Sequence, residues 1–136
     1  MGKTEQLNIY LSNLVDEPFE WGVNDCFTFS NGAFRAMYGV GYADDWMGRY
    51  MNGSAPKHAS SLRREFKHST LFSGLASKLV RVQQPVFGSL VTTSQKQRWA
   101  IGASLGISVG SRGIFLSKEG LIRINIEDVE SAWILK

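Results

Sequence analysis

Thiol and imidazole are scarce in this chain. It has one cysteine, Cys26, and two histidines, His58 and His68. One thiol cannot form an internal disulfide framework, and so few soft ligands do not make a protein-only four-ligand zinc site. No metal and no cofactor is therefore expected. Long apolar runs are missing too. The longest uncharged stretches, 82–95 and 99–111, are 14 and 13 residues, too short to span a bilayer as a helix. The chain opens M-G-K-T-E-Q, without the apolar stretch of a signal peptide. These absences predict a soluble protein made in a reducing cytoplasm, with no membrane span.

What is present describes a packed globular chain. Its 136 residues are 43% hydrophobic, 12% aromatic and 20% charged. That composition excludes a disordered tail, and the length suits one domain over residues 1–136. A chain of this size buries roughly two thirds of its unfolded surface, enough for a core without staples. Charge is uneven. Residues 1–45 carry seven acids and two bases, residues 46–112 one acid and ten bases, and residues 113–136 four acids and three bases. A basic middle can address a polyanion. Only Arg63, Arg64 and Lys67 cluster, however, so a solvated face or pairing with the acidic N-terminal segment explains it better. Nucleic acid is not the expected partner.

Helices come first. Leu7, Leu11, Leu14 and Val15 recur at helical spacing, with Thr4 as the expected N-cap. The sequence Asp16-Glu17-Pro18 ends that helix, because the residue before proline leaves the helical region. Asn24 or Asp25 can cap a second helix, whose stripe is Phe27, Ser30, Phe34, Met37 and Tyr38. Gly39 and Gly41 stop it, since glycine takes the left-handed C-terminal conformation cheaply. A turn or short helix follows over 43–53, then a helix over 58–68 and a shorter one near 71–79.

After Pro85 the period changes from helical to alternating. Strands are expected over 86–93, 99–109, 114–116 and 132–135, with a turn at 110–113 and a hairpin at 118–120. Between them Ile122, Ile124 and Ile126 point one way, Arg123 and Asn125 the other. Helices followed by antiparallel strands make an α+β fold, N-terminal helices packed on a C-terminal antiparallel sheet. Trp21, Phe27, Phe34, Ile107, Ile122, Ile124 and Trp133 are the expected core.

Several motif matches fail on context. Gly2-Lys3-Thr4 has no preceding glycine loop or strand to make a phosphate site. Gly39-Val40-Gly41 follows a helix rather than a strand, so it is no dinucleotide fingerprint. Gly102, Gly106 and Gly110 are spaced by four, but on a strand they mark bulges or close backbone approach. His58 and His68 read as ordinary surface or partly buried side chains.

The informative constellation is Trp21-Gly22-Val23-Asn24-Asp25-Cys26. It sets a cysteine on the first turn of a helix behind a capping pair. Unsatisfied backbone N–H groups and the helix dipole favour the thiolate there. Such a thiolate is what a cysteine nucleophile needs. A buried, inert cysteine is the competing reading.

This D-C at a helix start, ahead of helices and an antiparallel sheet, resembles the NlpC/P60 branch of the papain-like cysteine peptidases. Phe87-Gly88-Ser89-Leu90-Val91 is similar to that family's G-D-[LV]-V strand. Ser104-Leu105-Gly106-Ile107-Ser108-Val109-Gly110 is similar to its H-V-G-I-Y-x-G strand. The resemblance is closest to a small phage and prophage group with W-G-x-x-D-C, an R-Y pair (here Arg49-Tyr50) and an L-G-I-x-x-G strand. It extends from about Pro18 to Trp133.

The resemblance makes Cys26 the nucleophile position and Ser104 the occupant of the histidine position. Ser89 stands in place of the aspartate, and the third polar residue falls near Leu116 or Ser117. A serine hydroxyl cannot take a proton from a thiol near neutral pH. The resemblance therefore implies a catalytically degenerate domain in a phage tail tip or baseplate. Its partners would be hub or distal tail proteins, and its location the virion, after assembly in the host cytoplasm. The alternative is an active cysteine peptidase or amidase on peptidoglycan with Cys26 as nucleophile. A third reading is a polyanion-binding module using Arg63, Arg64 and Lys67.

Overall fold

The computed structural model describes residues 2–14, 26–46, 71–93, 104–117 and 120–136. Helix α1 is Lys3–Leu14, α2 is Cys26–Tyr38 and α3 is Leu71–Lys78, with 3₁₀ turns at Asp44–Trp46 and Ile126–Asp128. The strands are β1 (Leu79–Val82), β2 (Leu90–Thr93), β3 (Ser104–Ser108), β4 (Arg112–Ser117), β5 (Gly120–Asn125) and β6 (Ser131–Leu135). They form one sheet in the order β1-β6-β2-β3-β4-β5, with every pair antiparallel. The fold is α+β, N-terminal helices on a C-terminal antiparallel sheet, as the periodicity predicts.

The apolar spacing of α1 and α2 sets the helical layer. Leu7 is buried, and Leu11 and Leu14 are half-buried against the same core. Thr4 is not the cap: the helix already includes Lys3, and the Gln6 N–H donates to the Gly2 carbonyl at 3.1 Å. Thr4 therefore sits exposed in the first turn. Helix α2 ends as the glycine argument requires. Gly39 has φ +81° and its N–H donates to the Arg35 carbonyl at 3.0 Å. Gly41 has a different role: a side chain there would collide with Asn31 and Asp44.

Tyr10 ties the two helices together. Its ring stacks on Phe29 with centroids 6.1 Å apart, and its hydroxyl donates to the Phe29 carbonyl at 2.8 Å. Gly32 leaves the space that the ring occupies. Burial pushes the Tyr10 phenol well above its ordinary pKa, which favours the protonated, donating form. Tyr10→Phe is expected to lose about 0.5–1.5 kcal/mol, the net worth of one such hydrogen bond. Urea denaturation checks it; an unchanged midpoint contradicts the role.

The inner strands of the sheet are buried on both faces. Leu79, Leu90, Leu105, Ile107, Ile114, Leu116 and Trp133 share a core with Leu7, Phe29, Ala33 and Phe34 of the helices. Val91, Phe115, Ile124 and Ala132 form a second cluster, with Val82, Ile122, Ile126 and Val129 against it. The connection 126–130 makes that second layer. It leaves edge strand β5 and re-enters the sheet at β6, passing β4, β3 and β2. Ile126 N–H holds the Ser111 carbonyl at 3.0 Å, and Glu130 N–H holds the Thr92 carbonyl at 2.7 Å. Ile122 and Ile124 keep their expected common side, which is the face away from the helices. Ile124 is buried, whereas Ile122 is half-buried because β5 is an edge strand. Ile126 lies in the 3₁₀ turn Ile126–Asp128, beyond the strand.

Phe34, Ile107 and Trp133 are buried as expected. Trp21, the capping pair Asn24-Asp25 and the side chain of Phe27 lie outside the described residues. So do the expected helix 58–68 and the hairpin tip 118–119. Two strand expectations change. Residues 86–89 are a turn: Gly88 has φ +84°, and both the amide and the hydroxyl of Ser89 donate to the Val86 carbonyl. The strand starts only at Leu90. Strand β1, ahead of Pro85, was not expected.

Candidate functional site

Helix α2 packs across β3 and β4. Their shared direction follows from hydrogen bonds at one end. The Tyr38 hydroxyl, in the last turn of α2, donates to the Gly88 carbonyl at 2.8 Å. The Gly88 N–H donates at 2.8 Å to the carbonyl of Ser108, the last residue of β3. The C-terminal ends of α2 and β3 therefore meet at Gly88. Their first residues are Cys26 and Ser104. The side chains of both lie outside the described residues.

Backbone register defines the Ser104 end of the sheet further. Ser104 is paired with Thr93, and Leu105 with Thr92. Thr92 is paired in turn with Ser131 at the start of β6. Thr92, Thr93 and Ser131 are all buried, so this end of the sheet is polar inside. Buried hydroxyls need partners. Thr92 and Ser131 share a hydrogen bond, and the Trp133 indole N–H donates to the Ser131 hydroxyl at 3.0 Å. These residues were not singled out from sequence. A hydroxyl pair on adjacent strands carries no sequence motif, and only the register reveals it.

Ser89 stands where the resemblance puts an aspartate, and its placement is now defined. It is buried, and its hydroxyl is engaged at 2.8 Å with the Val86 carbonyl inside the turn. It sits beside the Ser108 end of β3, since the Ser108 N–H donates to the Ser89 carbonyl at 2.9 Å. That end meets the last turn of α2, and Cys26 is in the first. Leu116, near the third expected position, is buried in the helix-facing core. The side chain of Ser117 lies outside the described residues, as do Arg49, Tyr50, His58, Arg63, Arg64, Lys67 and His68.

A second polar cluster lies at the C-terminal end of α2. Buried Asn31 donates to Asp44 at 2.8 Å and accepts from the Ala43 N–H at 2.7 Å. Asp44 also accepts from the Gly41 N–H at 3.0 Å and pairs with Arg35 at 2.9 Å. The Asn31 hydrogen bond, with help from Arg35 and Gly41, holds the Asp44 carboxyl below the usual carboxylate range. The Arg35 pair is largely exposed and contributes little by itself. The cluster is a clamp on the loop after α2, satisfied from within. A depressed carboxyl stabilises the fold above its unfolded pKa of about 3.9, and that stability is lost as pH falls through the folded value. Asp44→Asn is therefore expected to flatten the loss of stability on acidification below about pH 4. Denaturation midpoints at a series of pH values check this; parallel curves for the two proteins contradict it.

Among the described residues, no three His, Cys, Asp or Glu side chains gather as a ligand set. No described helix is long and apolar enough to cross a membrane.

The model of one protein family, a domain of unknown function designated DUF6950, matches residues 2–135. The chain belongs to the DUF6950 family. The match covers both the helical layer and the whole sheet, so Cys26 and Ser104 fall within the DUF6950 region. No curated protein matches this DUF6950 chain.

Proposed function

We propose that the chain is a catalytically degenerate NlpC/P60-like domain of papain-like fold, with a structural role in a phage tail tip or baseplate. The observation that supports it is the residue at 104. Helix α2, opened by Cys26, packs on strand β3, opened by Ser104, and the C-terminal ends of the two are joined through Gly88. A peptidase of this type needs an imidazole where Ser104 stands, and the sequence has no histidine after position 68. Unless His58 or His68, which lie outside the described residues, reaches Cys26, nothing takes the thiol proton. Nor does anything protonate the leaving amine, so a tetrahedral adduct expels the thiolate and returns to substrate. The tail-tip setting rests on the sequence resemblance. The acidic first third and basic middle of the chain would give charge-complementary faces for neighbouring subunits.

The test is incubation of the purified protein with cell-wall sacculi, scored by new amino termini. Wild type and Cys26→Ala are expected to be equally silent. Turnover by wild type that disappears in Cys26→Ala would establish an active cysteine peptidase or amidase and overturn the structural reading. A Ser104→His variant run alongside asks whether the base alone was lost. Cleavage that appears there, and vanishes when Cys26→Ala is added, shows that it was. Labelling of Cys26 by an alkylating reagent does not decide the matter, because a helix N-terminus alone activates a thiol. Mass spectrometry of purified phage particles tests the location; absence of the chain from the virion contradicts it.

A further inference from the structure

We draw no further inference here: the strongest candidate, the open cleft of about 610 Å³ between the end of β1 and the connection 126–130, floored by Val82, Ile126, Val129 and Ala132 with Glu127 on its wall, carries nothing because the structure does not show what covers it.

Discussion

Replacing Phe34 with alanine is expected to cost about 3–5 kcal/mol, the usual range for deleting a fully buried aromatic side chain. Phe34 has no exposed surface and lies at the centre of the helix-facing core. Its ring meets Tyr38 and Tyr42 edge-on, with centroids 5.2 and 5.1 Å away. Such pairs contribute about 0.5–1.5 kcal/mol beyond area burial. Both tyrosines have further duties. Tyr38 donates to Gly88, and the Tyr42 hydroxyl shares a 2.7 Å hydrogen bond with buried Ser30. A cavity at Phe34 therefore loosens two anchored rings as well as losing its own contacts. Domains of this size hold about 5–15 kcal/mol in total, so the variant should be marginal. Phe34→Leu keeps much of the volume and should lose clearly less. A change under about 1 kcal/mol for alanine in chemical denaturation contradicts the assignment.

Phe34 was legible in the sequence because it repeats at helical spacing with Ser30, Met37 and Tyr38. Gly39 was legible for a different reason: a glycine just past an apolar helical stripe is a stop signal, and its φ of +81° agrees. Strand β1 was not legible. It has four residues and follows α3 with no break, Lys78 being helical and Leu79 already extended. Four residues are too few to separate a period of two from a period of 3.6. What makes them a strand is pairing with β6, from Leu79 opposite Leu135 to Val82 opposite Ala132, partners distant in sequence. The turn at 86–89 was hidden in the same way. Val86 and Phe87 have strand propensity, but Gly88 and the Ser89 hydroxyl bend the chain before Leu90.

The candidate site divides along the same line. A cysteine behind Asn24-Asp25 reads as a helix start, and Cys26 is indeed the first residue of α2. Likewise Ser104 opens β3. The resemblance predicts the order of these elements, but neither order nor propensity says that their last residues meet. That depends on hydrogen bonds through Tyr38, Gly88 and Ser108. Tyr38 was expected on the apolar stripe of the second helix. It is 37% exposed, with its hydroxyl spent on the Gly88 carbonyl. The alternation of Ile122 and Ile124 was read correctly, but alternation does not say which face is which. The second apolar layer exists because five residues, 126–130, cross the sheet back to β6.

Among the described glycines, Gly106 is the one at which an added methyl should do most damage. It lies in central strand β3, opposite Val91 on one side and Phe115 on the other. A Cβ built there overlaps the Ile114 carbonyl oxygen and comes within 2.7 Å of the Phe115 ring. Two effects oppose one another. Alanine restricts the unfolded chain, which favours folding by about 0.4–1 kcal/mol where the site has room. Overpacking a close-packed site costs about 1–3 kcal/mol, and more when backbone must move. The ring can turn, but the Ile114 carbonyl belongs to a residue held in the β3–β4 ladder opposite Ile107. The steric cost should therefore win, and Gly106→Ala should lose about 1–3 kcal/mol, Gly106→Val more. Gly2→Ala is the control, since nothing lies within 4 Å of a Cβ at that position. It should stay within about 0.5 kcal/mol of wild type. Phe115→Leu separates the two clashes. If the ring dominates, Gly106→Ala should be milder in the Phe115→Leu background than in wild type. If the carbonyl dominates, the two losses should simply add. The fixed backbone favours additivity. A Gly106→Ala protein as stable as wild type would contradict the close approach of β3 and β4.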